Sequence, residues 1–212
     1  MTTAPHPAAP AGPLRIGSLC TGYGGLDLAV TAVLHAELAW CADNDPRAAA
    51  VLAATWPGIQ NLGDITALDW AAVPPVDLIT AGWPCQDISY AGPGTGITKG
   101  TRSGLWHCIA GGLRRLRPSF VFLENVAALR TRGLGTVLAD LAALGYDTQW
   151  ACLRASDAGA CHRRDRMFIF AARPGAAAGL AAAAHSGRRM LPRRRIGGVL
   201  AGPPGPAEGS WP

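Results

Sequence analysis

The sequence predicts an α/β fold built on a mostly parallel sheet, and three observations lead there. Short apolar runs alternate with helix-length segments between residues 14 and 172. Such alternation is the pattern of parallel strands joined by right-handed helical crossovers. The punctuation agrees with it: Pro46 stands at a first helical position behind Asp45, and Pro57-Gly58 stops the segment that follows. Finally, the runs lead into Gly, Cys, Asp and Glu residues, which in such folds gather at the carboxyl edge of the sheet, where ligands bind.

In chain order, a first strand is expected over 15–20, running through a glycine-rich turn into a helix over 25–34. A second strand, 37–41, leads to a helix over 46–56. A short third strand stands ahead of Gly63, and an apolar strand covers 76–81. A helix over 105–116 precedes the apolar strand 120–124, which ends in Glu124. The helix over 134–144 is followed by Gly145, where a left-handed cap is expected. Strands over 148–154 and 167–172 complete the unit.

The length of 212 residues suits one domain with a sizeable core, or one domain plus a tail. The net charge of +5 suggests a nucleic-acid partner, but its distribution narrows that reading. Residues 1–170 hold 13 basic and 13 acidic side chains, whereas 171–212 hold six Arg and one acid, Glu208. No apolar run reaches the roughly 18–20 residues of a membrane span. Residues 1–13 are rich in Pro and Ala, with neither the basic start nor the apolar stretch of a signal peptide, and read as a disordered leader. The six Cys never fall in Cys-x-x-Cys spacing, which argues against zinc and against a stapled secreted scaffold. No metal is expected, and free thiols in a reducing cytoplasm are the simplest expectation. From residue 174 no sustained period is visible, and Ala, Gly, Pro and Arg dominate. The expected organisation is therefore a leader over 1–13, a catalytic unit over 14–173 and a disordered tail over 174–212. A short Ala-rich helix over 176–185 would be marginal alone.

Six segments carry chemistry. Gly22, Gly24 and Gly25 let the backbone approach a ligand and aim helix-start N–H groups at it. A dinucleotide fingerprint would need a third glycine where Asp27 stands, and a tight turn without ligand also fits. Asp43 follows the second strand, where nucleotide binders hold ribose hydroxyls; it could equally be a helix-start acid shared with Asn44 and Asp45. Asp64, in Gly63-Asp64-Ile65-Thr66, would reach an exocyclic amine, or would be an ordinary turn residue.

Cys85 stands on a Pro-fixed turn, Ala81-Gly-Trp-Pro-Cys-Gln-Asp-Ile-Ser89, straight after an apolar strand. Free Cys is often a small buried hydrophobe. Here polar neighbours and the Gly-rich loop 91–104, carrying Lys99 and Arg102, favour an exposed nucleophile beneath a lid over an anionic substrate. Glu124 should lie beside Cys85 at the same edge, since a carboxylate there is costly to bury without a partner or a task. Arg164 and Arg166 alternate on one strand face and can order a phosphate or the Glu124 carboxylate; a solvated edge is the alternative.

Taken in order, the Gly-Tyr-Gly-Gly turn, Asp43, Gly63-Asp64-Ile65, Pro84-Cys85-Gln86, Glu124-Asn125-Val126 and His162-Arg-Arg-Asp-Arg166 resemble the cytosine-C5 DNA methyltransferase family over residues 14–172. The resemblance implies a Rossmann-like, S-adenosylmethionine-dependent methyltransferase fold acting on double-stranded DNA, with restriction–modification as a typical setting. It implies that Cys85 attacks C6 of a flipped-out cytosine while Glu124 bonds N3 and the amine. Arg166 would support Glu124, and Arg164 the base. For the cofactor it implies Cys20, Thr21, Gly22, Tyr23, Gly24 and Gly25 at the amino-acid end. Asp43 with Asn44 would take the ribose, Asp64 with Ile65 the adenine, and Pro84 and Leu105 would lie alongside.

Three departures stand out. Cys20 replaces the family's aromatic residue, Cys161-His162 replaces its Pro-Gln, and nothing after Pro174 resembles a target-recognition region. The chain reads as a catalytic half. An inactive remnant, or a subunit needing a separate target-recognition chain, is the alternative.

Overall fold

A computed structural model describes residues 12–84, 105–176, 180 and 183. In chain order its elements are β1 (Leu14–Leu19), α1 (Gly25–Val33), β2 (Ala36–Ala42), α2 (Pro46–Thr55), β3 (Gln60–Asn61) and β4 (Leu78–Ala81). Then follow α3 (Leu105–Leu116), β5 (Phe120–Val126), α4 (Leu129–Arg132), α5 (Leu134–Ala143), β6 (Asp147–Arg154), a 3-10 turn (Ala155–Ala158) and β7 (Asp165–Ala172). Among the described residues the strands form one seven-stranded sheet in the order β3-β2-β1-β4-β5-β7-β6. The five strands from β3 to β5 are parallel, and β7 runs antiparallel to both β5 and β6. The mostly parallel α/β sheet is therefore as expected.

Helix starts and stops follow the local chemistry. The Asp45 carboxylate accepts from the Arg47 and Ala48 N–H groups at 2.7 and 3.1 Å, with Pro46 in the first turn. Gly145, at φ 84°, closes α5 in the left-handed region. Strand alternation then sorts the apolar side chains onto two faces. Val121, Leu123, Met167 and Ile169 join Trp106, Ile109 and Leu113 of α3 and Val137 and Leu141 of α5 in one cluster. Leu14, Ile16, Leu38 and Phe120 join Val30 of α1 and Leu52 of α2 in the other. Ala176 and Ala183 are buried in this second cluster, and the His35 N–H donates to the Ala183 carbonyl at 3.2 Å.

Helix α3 carries Gly111-Gly112 in its middle, each costing about 1 kcal/mol in helix propensity. Burial of Ile109 and Leu113, at roughly 1.5–3 kcal/mol each, together with fully buried Trp106, outweighs that cost. Gly112 also has a steric reason, because a Cβ there would meet the Trp70 ring at 2.6 Å.

Several boundaries shift by one or two residues, β4 starting at Leu78 and β7 at Asp165, and two further differences stand out. β5 does not end at Glu124: its pairing with β7 continues through Asn125↔Met167 and Val126↔Arg166, so Glu124 sits inside the strand opposite Phe168. The short α4 was not foreseen; four residues are too few for a periodic signal, and it forms where Leu129 is buried.

Between β1 and β2 the Trp40 indole lies on Gly17, and its Nε1–H donates to the Pro74 carbonyl at 3.0 Å. A Cβ on Gly17 would overlap that ring. Gly17→Ala should cost about 1–3 kcal/mol by overpacking, read as a lower midpoint in urea denaturation with an unchanged slope.

Candidate active site

The sheet order places β1 between β2 and β4, so strands are added outward in both directions from it, and a crevice opens at the carboxyl ends of these strands. A cavity of about 710 Å³ occupies this crevice. Its wall combines Cys20 after β1, Asp43 and Asn44 after β2, Asp64 and Ile65 after β3, Pro84 after β4, and Leu105 at the start of α3. Asp45 adds a third carboxylate, and among the described residues the lining contains no Lys, Arg or His.

Backbone and side-chain bonds hold the acids in place. The Asp43 Oδ2 accepts from the Gly22 N–H at 2.7 Å, which joins the glycine turn to the end of β2, and its Oδ1 accepts from the Asp45 N–H at 2.9 Å. Asn61 clamps the same loop: its Oδ1 accepts from the Asp43 and Gly63 N–H groups, both at 3.0 Å, and its Nδ2 donates to the Asp43 carbonyl at 3.1 Å. Asp64 is exposed and accepts from the Thr66 N–H and hydroxyl, both at 2.8 Å, and from Asn44 Nδ2 at 3.1 Å. The Thr66 donors hold its carboxyl below the usual range.

Cys20 is left-handed at φ 50°, an uncommon conformation for a residue with a Cβ. Burial, followed by the charges of Asp43, Asp64 and Cys108, pushes its thiol up to about 12, so it stays protonated and lines the wall as a neutral group. Thr21 bridges the ends of β1 and β2, donating to the Ser18 and Ala42 carbonyls at 3.2 and 3.4 Å. Gly24, at φ 75°, lies under the Trp56 ring, and Tyr23 is 65% exposed. Neither lines the crevice.

A second cavity, of about 430 Å³, adjoins the first, and Cys20 is the residue common to both walls. Gly22, Gly25, Asp27, Gly82, Glu124 and Arg164 are among its lining. Glu124 Oε1 lies 2.6 Å from Arg166 Nε. The register explains this contact: Glu124 pairs with Phe168, so Arg166 is its diagonal neighbour across β5 and β7. Burial raises the Glu124 carboxyl, while Arg166 and then Arg164 oppose the rise. Gly82 leaves the carboxylate room, since a Cβ there would lie 3.3 Å from Oε2. Buried Asn125 donates from Nδ2 to the Trp83 carbonyl at 3.1 Å, tying β5 to the Trp83-Pro84 turn.

The structure thus brings Cys20, Asp43, Asn44, Asp64, Ile65, Pro84 and Leu105 to one cavity, Thr21, Gly22, Gly25, Glu124 and Arg164 to the adjoining one, and Arg166 against Glu124. Cys85, Lys99 and Arg102 lie outside the described residues. Asn61, Asp27 and Thr80 were missed; only Thr80, at the end of an apolar run, offered a signal. Among the described residues there is no cluster of three potential metal ligands, and no helix is long and apolar enough to cross a membrane.

Comparison with known proteins gives a consistent result. The Type II methyltransferase M2.BsuMI of Bacillus subtilis is 32% identical over 166 residues, 74% of this chain and 42% of that protein. M.NlaX of Neisseria lactamica is 32% identical over 73% of this chain and 51% of its own length. The chain thus spans about half or less of the length of these relatives. Among solved structures, an S. pombe Dnmt2 methyltransferase superposes with a TM-score of 0.63 at 20% identity, over 76% of this chain and 51% of that one. A DNMT2 variant from Spodoptera frugiperda gives 0.64 at 22%, over 76% and 50%; both likenesses establish the fold. The sequence profile of C-5 cytosine-specific DNA methylases matches residues 14–190, and the chain belongs to that family.

Proposed function

We propose that this chain binds S-adenosylmethionine in the larger cavity and transfers its methyl group to C5 of a cytosine in double-stranded DNA. The observation that carries this reading is the pairing of two unlike cavities through Cys20. Among the described residues, one is lined by three carboxylates and no cation; the other holds a raised glutamic acid braced by arginine. The first suits a ligand of net positive charge, rich in hydrogen-bond donors, and would repel the pyrophosphate of a dinucleotide. Asp43 has the capacity to accept from a ribose diol and Asp64 from an adenine amine, since each carboxylate oxygen offers two lone pairs.

When bound, the cofactor supplies an electrophilic methyl group. The chain's own residues do the rest. The Cys85 thiolate forms an Sγ–C6 bond, and Glu124 passes its proton to N3, so that electron density collects at C5. Once C5 has taken the methyl group, loss of its proton to a base expels Cys85 and breaks the Sγ–C6 bond; N3 then returns its proton to Glu124. The burial that raises the Glu124 carboxyl supports this use, because it favours the protonated form that donates. The base must leave the duplex to be reached.

A second reading is a cofactor-binding subunit that transfers methyl groups only beside a separate target-recognition chain.

Calorimetry with S-adenosylhomocysteine should show binding. Asp43→Ala and Asp64→Ala should each weaken it roughly ten- to a hundredfold, the equivalent of one charge-assisted hydrogen bond at about 1.5–3 kcal/mol. Labelled methyl transfer to DNA should be abolished by Cys85→Ser. Binding without transfer by the wild-type chain alone would select the second reading, whereas no binding would overturn both.

Arg166→Gln should move the Glu124 carboxyl further up, followed by carbon-detected NMR titration. The sign for stability follows. Stabilisation from a proton held more tightly in the folded state is full below the unfolded carboxylate value of roughly 4 and is lost as pH rises through the folded value. Glu124→Gln should flatten that fall in urea-denaturation profiles.

A further inference from the structure

Asp27 is the buried carboxyl group among the described residues, 1% exposed, and the chemistry above does not use it. It stands in the first turn of α1 and reaches two strands at once. Oδ2 accepts from Ser18 Oγ of β1 at 2.8 Å, and Oδ1 accepts from Thr80 Oγ1 of β4 at 2.5 Å. Ser18 and Thr80 are themselves register partners across the parallel pair. Three chain segments therefore meet on one carboxyl group in the wall of the second cavity.

The arrangement is costly for stability alone. Burial raises the Asp27 carboxyl, and only hydrogen bonds oppose it; no cation among the described residues contributes. A well-packed apolar side chain of similar volume often replaces such a group without loss. What the carboxyl group adds is placement. Helix α1 begins at Gly24, which has no side chain to cap it, so Asp27 anchors the first turn to the sheet. Ser18 lies two residues before Cys20, and Thr80 four before Pro84, and both Cys20 and Pro84 line the first cavity. A shift between β1, β4 and α1 would move both walls.

We infer that Asp27 is a positioning residue: by strapping Ser18 and Thr80 to the start of α1, it holds the glycine turn and the ends of β1 and β4 at the spacing the larger cavity needs to accept the cofactor. The inference rests on the proposed cofactor reading. An amide can keep both contacts, accepting from one hydroxyl and donating to the other, whereas a leucine can keep neither.

S-Adenosylhomocysteine affinity and the melting temperature of the ligand-free protein are measured for wild type, Asp27→Asn, Asp27→Leu and the double variant Ser18→Ala/Thr80→Val. The double variant retains Asp27 and serves if Asp27→Leu does not fold. Affinity within about threefold of wild type in Asp27→Asn, with at least tenfold weakening in the double variant and also in Asp27→Leu where it folds, is the expected result. Wild-type affinity in Asp27→Leu or the double variant, whatever its melting temperature, would reduce Asp27 to a fold residue and overturn the inference alone. A wild-type chain that does not bind the probe would overturn the cofactor reading and this inference with it.

Discussion

Parallel pairing of β1 with β2 on one side and β4 on the other is the constraint on which the rest of the structure depends. Parallel strands all deliver their following residues to the same edge, and the change of direction at β1 leaves a gap between the loops there. Cys20, Asp43 and Pro84 face one another because of that topology, though they are far apart in sequence. One strand further out, β5 brings Glu124 to the same end of the sheet. The close approach of Trp40 to Gly17, next to the register shift between Ile16 and Gly17, shows how tightly β1 and β2 are packed.

The two cavities differ in how the surroundings treat charge. Asp64 is exposed and surrounded by donors, so its carboxyl is pulled down. Glu124 is partly buried, and desolvation lifts it even with a guanidinium 2.6 Å away. The same desolvation keeps the Cys20 thiol protonated. Cys20, common to both linings, stands as a neutral thiol between an acid-lined cavity and an arginine-braced one.

Much of this was legible because local chemistry and fold agree. Asp45-Pro46 starts a helix by capping, Gly145 ends one by its left-handed backbone, and both do so here. Asp43 could be singled out because it follows an apolar run, and Asp64 because a short strand was expected ahead of Gly63; in a parallel sheet both mean the ligand edge. Asn61 and Asp27 could not be. Asn61 works by holding the backbone of a loop reached from another strand, and Asp27 by accepting from hydroxyls 9 and 53 residues away. Such bonds leave no periodic trace. Tyr23 shows the converse: it lies inside a recognisable motif, yet its side chain faces outward.

The sequence by itself determined the α/β class, the order of strands and helices, the glycine turn and the candidate acids, because these depend on neighbours within a few residues. Its net charge of +5 pointed towards nucleic acid but said nothing about the site, since the residues up to 170 balance. Tertiary structure alone decided that β7 inserts antiparallel between β5 and β6, and so that Arg166 reaches Glu124 diagonally. It also decided in which direction the proton affinities of Asp27, Asp64 and Glu124 move, because desolvation, donors and the distance to a cation are properties of the packed chain.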